Sequence, residues 1–204
     1  IPIGAGLGLS LKIKKSKNIS CVFIGDGAIE EGVFAETINF CAQRNLPVLF
    51  ICENNLYSVY SHLRVRQPEG REIFKMIDSM GVKSLKSDGN DVFKSYEIIK
   101  RASSSIRKNG GPRFIEFDTY RWREHCGPNY DNDIGYRSEE EFLQWKKKDP
   151  ILNAEKKLKR LEYISDDEIL KITRQAQIKV NRAFKFADDS PFPKKNEALQ
   201  DIFS

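Results

Sequence analysis

Two apolar runs of strand length each end in a short loop of oxygen-bearing residues, and one helical pattern separates them. Ile19-Ser20-Cys21-Val22-Phe23-Ile24 leads into Gly25-Asp26-Gly27, and Val48-Leu49-Phe50-Ile51-Cys52 leads through Glu53 into Asn54-Asn55. Between them, Val33, Phe34, Ile38, Cys41 and Ala42 recur at helical spacing over residues 32–44, and Asn45 and Pro47 mark the end. The order is strand, loop, helix, strand. A right-handed crossover makes the two strands parallel and brings both loops to the same carboxyl edge of the sheet, where open α/β sheets bind ligands. Asp26 and Asn55 can then face one ion.

The chemistry of these loops suits a hard cation and a diphosphate. Mg²⁺ takes a near-octahedral shell of oxygens at roughly 2.0–2.1 Å, commonly a few from protein and the rest from phosphate and water. Asp26 offers charge and Asn55 a neutral amide oxygen. Gly25 and Gly27 let backbone approach a ligand where a Cβ would obstruct it, and the amides that follow Gly27 are donors suited to phosphate oxygens.

Gly25-Asp26-Gly27-Ala28, followed after an interval by Glu53-Asn54-Asn55-Leu56-Tyr57, resembles the thiamine diphosphate signature of the α subunits of 2-oxo acid and acetoin dehydrogenase E1 components. The resemblance implies that Asp26, the Asn55 side chain and the Tyr57 carbonyl bind Mg²⁺, and that Gly25, Gly27 and Ala28 line the diphosphate of thiamine diphosphate. Further segments are similar to the same family: Ile1-Pro2-Ile3-Gly4-Ala5-Gly6, Arg113 to Arg121, Tyr136-Arg137-Ser138-Glu139-Glu140 and Asp149-Pro150-Ile151. The chain opens inside the first of these, so the resemblance implies a fragment without the family's amino-terminal portion.

After Tyr57 the α/β pattern continues. A helix is predicted from Arg71 to Ser79, stopping at Gly81; a strand follows over Val82 to Lys86; Asp91 caps a helix that reaches Asn109. Phe114, Ile115, Phe117 and Tyr120 give a further strand. Residues 121–137 then form a loop long enough to suggest function. By resemblance this is the E1 α active-site loop, and His125 falls on its histidine, which implies a catalytic role in hydrogen-bonding a developing anion or passing a proton. Where relatives carry another histidine two positions earlier this chain has Arg123, which either suits a more anionic substrate or pairs with Glu124 or Asp131. Cys126 stands where mammalian pyruvate dehydrogenases carry a phosphorylated serine, which implies no phosphorylation there. His62 reads as a partly exposed loop histidine.

Composition excludes several classes. The net charge of +5, from 34 basic and 29 acidic residues, is too balanced to argue for nucleic acid. No apolar stretch approaches the ~20 residues of a membrane helix. Cys21, Cys41, Cys52 and Cys126 lack metal-ligand spacing; the first three sit in apolar patterns and read as core residues in a reducing compartment, cytoplasmic or mitochondrial matrix. The lysine clusters at 12–17, 146–148 and 156–159 read as solvated helix faces, with a docking patch for an acidic partner as the alternative.

The carboxy-terminal region reads as helices. Ser138 to Glu141 and Ser165 to Glu168 match the capping box, and Ile169, Ile172, Ala176, Val180, Ala183, Phe184 and Ala187 form a stripe suited to packing or a subunit interface. Residues 188–204 read as an irregular tail. The expected architecture is thus α/β, a mostly parallel sheet flanked by helices, with a thiamine diphosphate-binding domain over 1–137 and a helical extension over 138–204. The resemblance implies an E1 α subunit that works with an E1 β subunit in an α₂β₂ heterotetramer and passes an acyl group to a lipoyl-bearing E2 acyltransferase. The rivals are a thiamine enzyme of transketolase or decarboxylase type and a non-catalytic interaction subunit.

Overall fold

Ser20–Gly25 and Val48–Asn54 form strands β1 and β2 in the computed structural model, which describes residues 1–200. They pair in parallel, from Ser20 opposite Val48 to Gly25 opposite Glu53, and α2 (Gly32–Gln43) links them. Helix α1 (Pro2–Ile13) precedes β1. After β2 come a hairpin, β3 (Tyr57–Ser58) with β4 (Ser61–His62), and then α3 (Leu63–Arg66) and α4 (Ile73–Ser79). Strand β5 (Lys83–Asp88), helix α5 (Val92–Asn109) and strand β6 (Arg113–Asp118) complete the sheet, whose order is β1-β2-β6-β5 with every neighbour parallel.

Both faces of β2 are covered, which explains why it reads as an unbroken apolar run rather than an alternation. Val48, Phe50 and Cys52 point to one side with Phe114, where they meet Phe34, Ile38 and Cys41 of α2 and Ile73 and Ile77 of α4. Leu49 and Ile51 point to the other with Ile115 and Phe117, against Ile98 and Ile106 of α5. Helix α1 lies close to the sheet through Gly4 and Gly8: a Cβ there would come within 2.3 Å of the Val22 side chain and 2.5 Å of the Val48 side chain. Phe34 and Phe114 meet edge to face with ring centroids 6.3 Å apart.

Several sequence expectations shift in detail. The helix expected from Arg71 begins at Ile73, and the strand expected from Val82 begins at Lys83 and runs to Asp88; Gly81, between them, has φ +85°. The Asp91 cap forms as expected, its Oδ1 accepting from the Phe93 and Lys94 amides at 3.0 and 3.1 Å. Cys41 and Cys52 are buried, but Cys21 is exposed. The reason is topological: β1 is a sheet edge, and the face that Cys21 shares with exposed Phe23 lacks the helical cover that α5 gives β2.

The structure divides into two compact units, one ending at Ala154 and the other beginning at Glu155. Helix α6 (Glu139–Lys146), past residue 137, belongs to the first, because Phe142 and Trp145 join Tyr57, Tyr120, Trp122 and Tyr136 in an aromatic cluster. Tyr120 and Trp145 stack there at 5.5 Å with an interplanar angle of 11°. Helices α7 (Pro150–Arg160) and α8 (Asp166–Asp189) follow, and a 3₁₀ turn spans Lys195–Leu199 within the expected tail; residues 201–204 of that tail lie outside the described residues. Ile172, Val180 and Phe184 of the α8 stripe are exposed. No helix among the described residues is long and apolar enough to cross a membrane.

The two expected capping boxes fare differently. At Ser165 the box is complete: Ser165 Oγ accepts from the Glu168 amide at 3.2 Å and Glu168 Oε2 accepts from the Ser165 amide at 2.9 Å. At Ser138 only half forms, with the Glu141 amide donating to Ser138 Oγ at 3.1 Å while Glu141 Oε2 instead accepts the Tyr57 hydroxyl at 2.8 Å.

Phe114→Ala is expected to lower the unfolding free energy by about 3–5 kcal/mol, the cost of emptying a closed aromatic site. Phe23→Ser on the exposed edge is expected to change it by less than about 0.5 kcal/mol. Denaturant unfolding of the full-length variants checks the contrast.

Candidate functional site

The parallel register of β1 and β2 ends both strands at one level, and the residues that follow meet there. Asp26, at the start of a 3₁₀ turn over Asp26–Glu30, is 1% exposed. Its Oδ1 accepts the Asn55 amide at 3.3 Å, so the carboxylate and the carboxamide-bearing residue predicted to share an ion do converge. The Asn55 carboxamide oxygen accepts the Tyr57 amide at 3.0 Å and, with two lone pairs, retains an acceptor site. The other Asp26 oxygen is not vacant: Arg66 of α3 forms an ion pair with Oδ2 and a second ion pair with Glu30.

Close approach is real at Gly27. A Cβ there would lie 2.7 Å from Ser58 Oγ and 3.6 Å from Arg66 Nη1, so the glycine lets the turn after β1 pass beneath the hairpin. Gly25 has no such neighbour, since a Cβ there would meet nothing within 4 Å among the described residues. Ala28 follows in the same 3₁₀ turn. This donor set fits a magnesium diphosphate: an acidic oxygen, an amide oxygen and a tight backbone turn. Among the described residues no three His, Cys, Asp or Glu side chains cluster as a metal site. A cation here would therefore draw on neutral oxygens and on its phosphate ligand, as Mg²⁺ commonly does.

The Asn54-Asn55 turn is held from behind by Glu116, a residue that the sequence reading passed over. Glu116 is 1% exposed on β6; its Oε1 accepts Asn54 Nδ2 at 2.8 Å, and its Oε2 accepts the Phe74 amide at 3.0 Å. Lys86 of β5 stands 3.4 Å from the same carboxylate and 3.0 Å from Asp118. Asn54 Oδ1 in turn accepts the Leu56 amide at 3.0 Å, which supports Leu56 at φ +69°, a left-handed conformation unusual for a leucine. A carboxylate inside an apolar strand was the available signal. Burial, with Glu116 and Asp26 nearby, pushes the Cys52 thiol up; burial alone moves Cys41 up to about 11. Neither is poised as a nucleophile.

His125 is exposed in the 121–137 loop, and its ordering runs through Arg121. Arg121 Nη1 stands 3.4 Å from His125 Nδ1, and Arg121 Nη2 donates to the Val59 carbonyl at 2.9 Å and to the Tyr136 hydroxyl at 2.8 Å. The loop is thus tied to the β3–β4 turn. Asp131 is its buried hub, pairing with Arg137 and accepting the Tyr136 hydroxyl at 2.6 Å. Burial pushes its carboxyl up, but the Tyr136 and Arg137 hydrogen bonds and the Arg137 and Arg121 charges outweigh this and hold it below its ordinary value. Arg123 pairs with neither expected carboxylate; it lies 3.9 Å over the Tyr130 ring and donates to the Pro128 carbonyl at 2.9 Å. Cys126 is exposed.

His62, read as a loop residue, has a structural task. Its Nδ1 accepts the Arg64 amide at 3.0 Å and caps the short helix that carries Arg66.

Comparison with known proteins bears on this arrangement. Residues 1–196 match the family model described as the dehydrogenase E1 component. The chain belongs to that family. Its E1 relatives include the pyruvate dehydrogenase E1 component subunit alpha of Rickettsia felis (strain ATCC VR-1525 / URRWXCal2), 33% identical over 203 residues, covering 100% of this chain and 61% of the relative. A chloroplastic pyruvate dehydrogenase E1 component subunit alpha-3 of Arabidopsis thaliana is 31% identical over 211 residues, covering 100% and 48%. The 2-oxoisovalerate dehydrogenase subunit alpha of Bacillus subtilis (strain 168) is 30% identical over 204 residues, covering 100% and 61%. The chain spans about three fifths of the length of the bacterial E1 relatives and about half of the plant one. Relatives named for different 2-oxo acids match almost equally, so the similarity does not select a substrate.

A neutral His62 is required by its cap, and burial first, then the Arg64 and Arg66 charges, lower its proton affinity below the ordinary 6.5. The cap therefore contributes fully above that value and is lost as pH falls below it. The protection factor of the Arg64 amide, its observed exchange rate measured against the intrinsic rate at each pH, is expected to fall below pH 6.5 while those of neighbouring caps hold, and His62→Asn, which keeps an acceptor without titrating, is expected to remove that fall.

Proposed function

We propose that this chain is the cofactor-holding part of an E1 α-type subunit of a 2-oxo acid dehydrogenase, acting on pyruvate or a related 2-oxo acid. Its metal would be Mg²⁺ and its cofactor thiamine diphosphate. The reading is carried by one observation: the Asn55 backbone N–H donates to the buried Asp26 carboxylate at 3.3 Å, at the shared end of β1 and β2. Family membership supports it.

In this reading the Asp26 carboxylate, the Asn55 carboxamide oxygen and the Tyr57 carbonyl hold the cation, while the backbone from Gly25 through Gly27 to Ala28 lines the diphosphate. When bound, the cofactor supplies the carbon nucleophile and the electron sink that the side chains lack. The chain contributes binding, orientation and one proton-handling group. A guanidinium has only donors, so a hydrogen bond from Arg121 Nη1, 3.4 Å from His125 Nδ1, selects the tautomer that accepts at Nδ1 and carries its proton on Nε2. Nε2–H is then the donor available to an oxyanion formed from substrate, and Arg121 is the group that orients it. An E1 β subunit, in an α₂β₂ heterotetramer, and a lipoyl-bearing E2 acyltransferase are the proposed partners.

Two measurements test the reading. Asp26→Ala in the full-length chain with its β subunit is expected to abolish Mg²⁺-dependent binding of thiamine diphosphate in calorimetry while the circular dichroism spectrum is retained; undiminished affinity overturns the assignment. His125→Gln is expected to lower kcat by about 10²–10⁴-fold, the usual span for a lost acid or base, with cofactor affinity within a few fold of the parent.

A further inference from the structure

The carboxylate assigned to the metal already has a cation on it. Arg66 is anchored on three sides: Nη2 on Asp26 Oδ2, Nη1 on Glu30, and Nε donating to the Ser61 carbonyl at 3.0 Å. Its side chain is 11% exposed. Gln67, the next residue, donates to the same Glu30 oxygen at 3.0 Å, and its own carboxamide oxygen is buried with no hydrogen-bond partner among the described residues. The guanidinium also lies over Gly27, with Nη1 3.6 Å from the point where a Cβ would stand.

Two positive charges do not share one buried carboxylate cheaply. A divalent ion bound by Asp26 would meet the guanidinium at contact range in a poorly solvated setting, where like charges repel strongly. Without such an ion, a buried carboxylate alone would be costly, and Arg66 removes that cost. We infer that Arg66 is a tethered counter-cation that competes with the divalent metal for Asp26 and thereby sets the metal affinity of the site. The proposal rests on the metal reading given above. It assigns to Arg66 exchange rather than support: metal entry breaks the Arg66–Asp26 pair, and the guanidinium keeps Glu30 and the Ser61 carbonyl as anchors. Helix α3 is suited to such a shift, having only four residues and one side-chain cap.

The test uses Mn²⁺ alone, without cofactor, on the full-length chain, with free Mn²⁺ read by electron paramagnetic resonance. Arg66→Gln is expected to bind Mn²⁺ roughly five- to fiftyfold more tightly, as removal of an adjacent like charge requires; Arg66→Lys, which keeps the charge, is expected to stay within about threefold of the parent. An unchanged or weakened affinity in Arg66→Gln overturns the inference. Independently of whether that variant folds, Mn²⁺ added to the parent is expected to speed hydrogen exchange over residues 63–67, and unchanged or increased protection there overturns it too. Asp26→Asn separates the two levels: Mn²⁺ affinity equal to the parent's refutes the metal site itself and this inference with it, whereas lost affinity leaves the Arg66 variants as the deciding result.

Discussion

A carboxylate withdrawn from water needs compensation on every side, and the arrangement at the end of β1 follows from meeting that need at Asp26. The Asn55 amide supplies one contact and Arg66 another. Each draws its own segment in. Asn55 comes from the parallel neighbour strand, and Arg66 comes from a helix that the β3–β4 hairpin delivers, with the hairpin passing so near the 3₁₀ turn that only glycine fits at residue 27. The site is therefore the meeting point of two strand ends and one hairpin.

Behind it a second buried carboxylate does comparable work. Glu116 joins β6 to the Asn54 side chain and to the start of α4, and Lys86 from β5 supplies partial charge compensation. The unusual backbone at Leu56 rests on that support through Asn54. Three of the four strands of the main sheet thus contribute to holding one turn, which is a physical reason for its backbone to stay in place.

The sequence made some of this legible and hid the rest for identifiable reasons. Apolar runs of strand length on either side of a helical period announce themselves by composition, so β1, α2 and β2 were visible, and with them the convergence of Asp26 and Asn55. The Asp91 and Ser165 caps were visible because caps are local. Arg66 was not, because its partner lies 40 residues away and Leu63-Arg64-Val65-Arg66 reads like any exposed turn. Cys21 was misjudged because alternation shows which residues share a face but not whether a helix covers it. Arg123 found an aromatic ring rather than a carboxylate, a choice set by loop folding at distances no spacing rule reports.

The half-formed box at Ser138 has its own consequence. Glu141 gives up its return bond to the helix start and accepts the Tyr57 hydroxyl instead, across 84 residues of chain. The beginning of α6 and the turn after β2 thereby share one oxygen pair. That bond reinforces the aromatic cluster that already joins Tyr57 to Phe142 and Trp145, so a region that a linear map would call remote is packed beside the segment that follows β2.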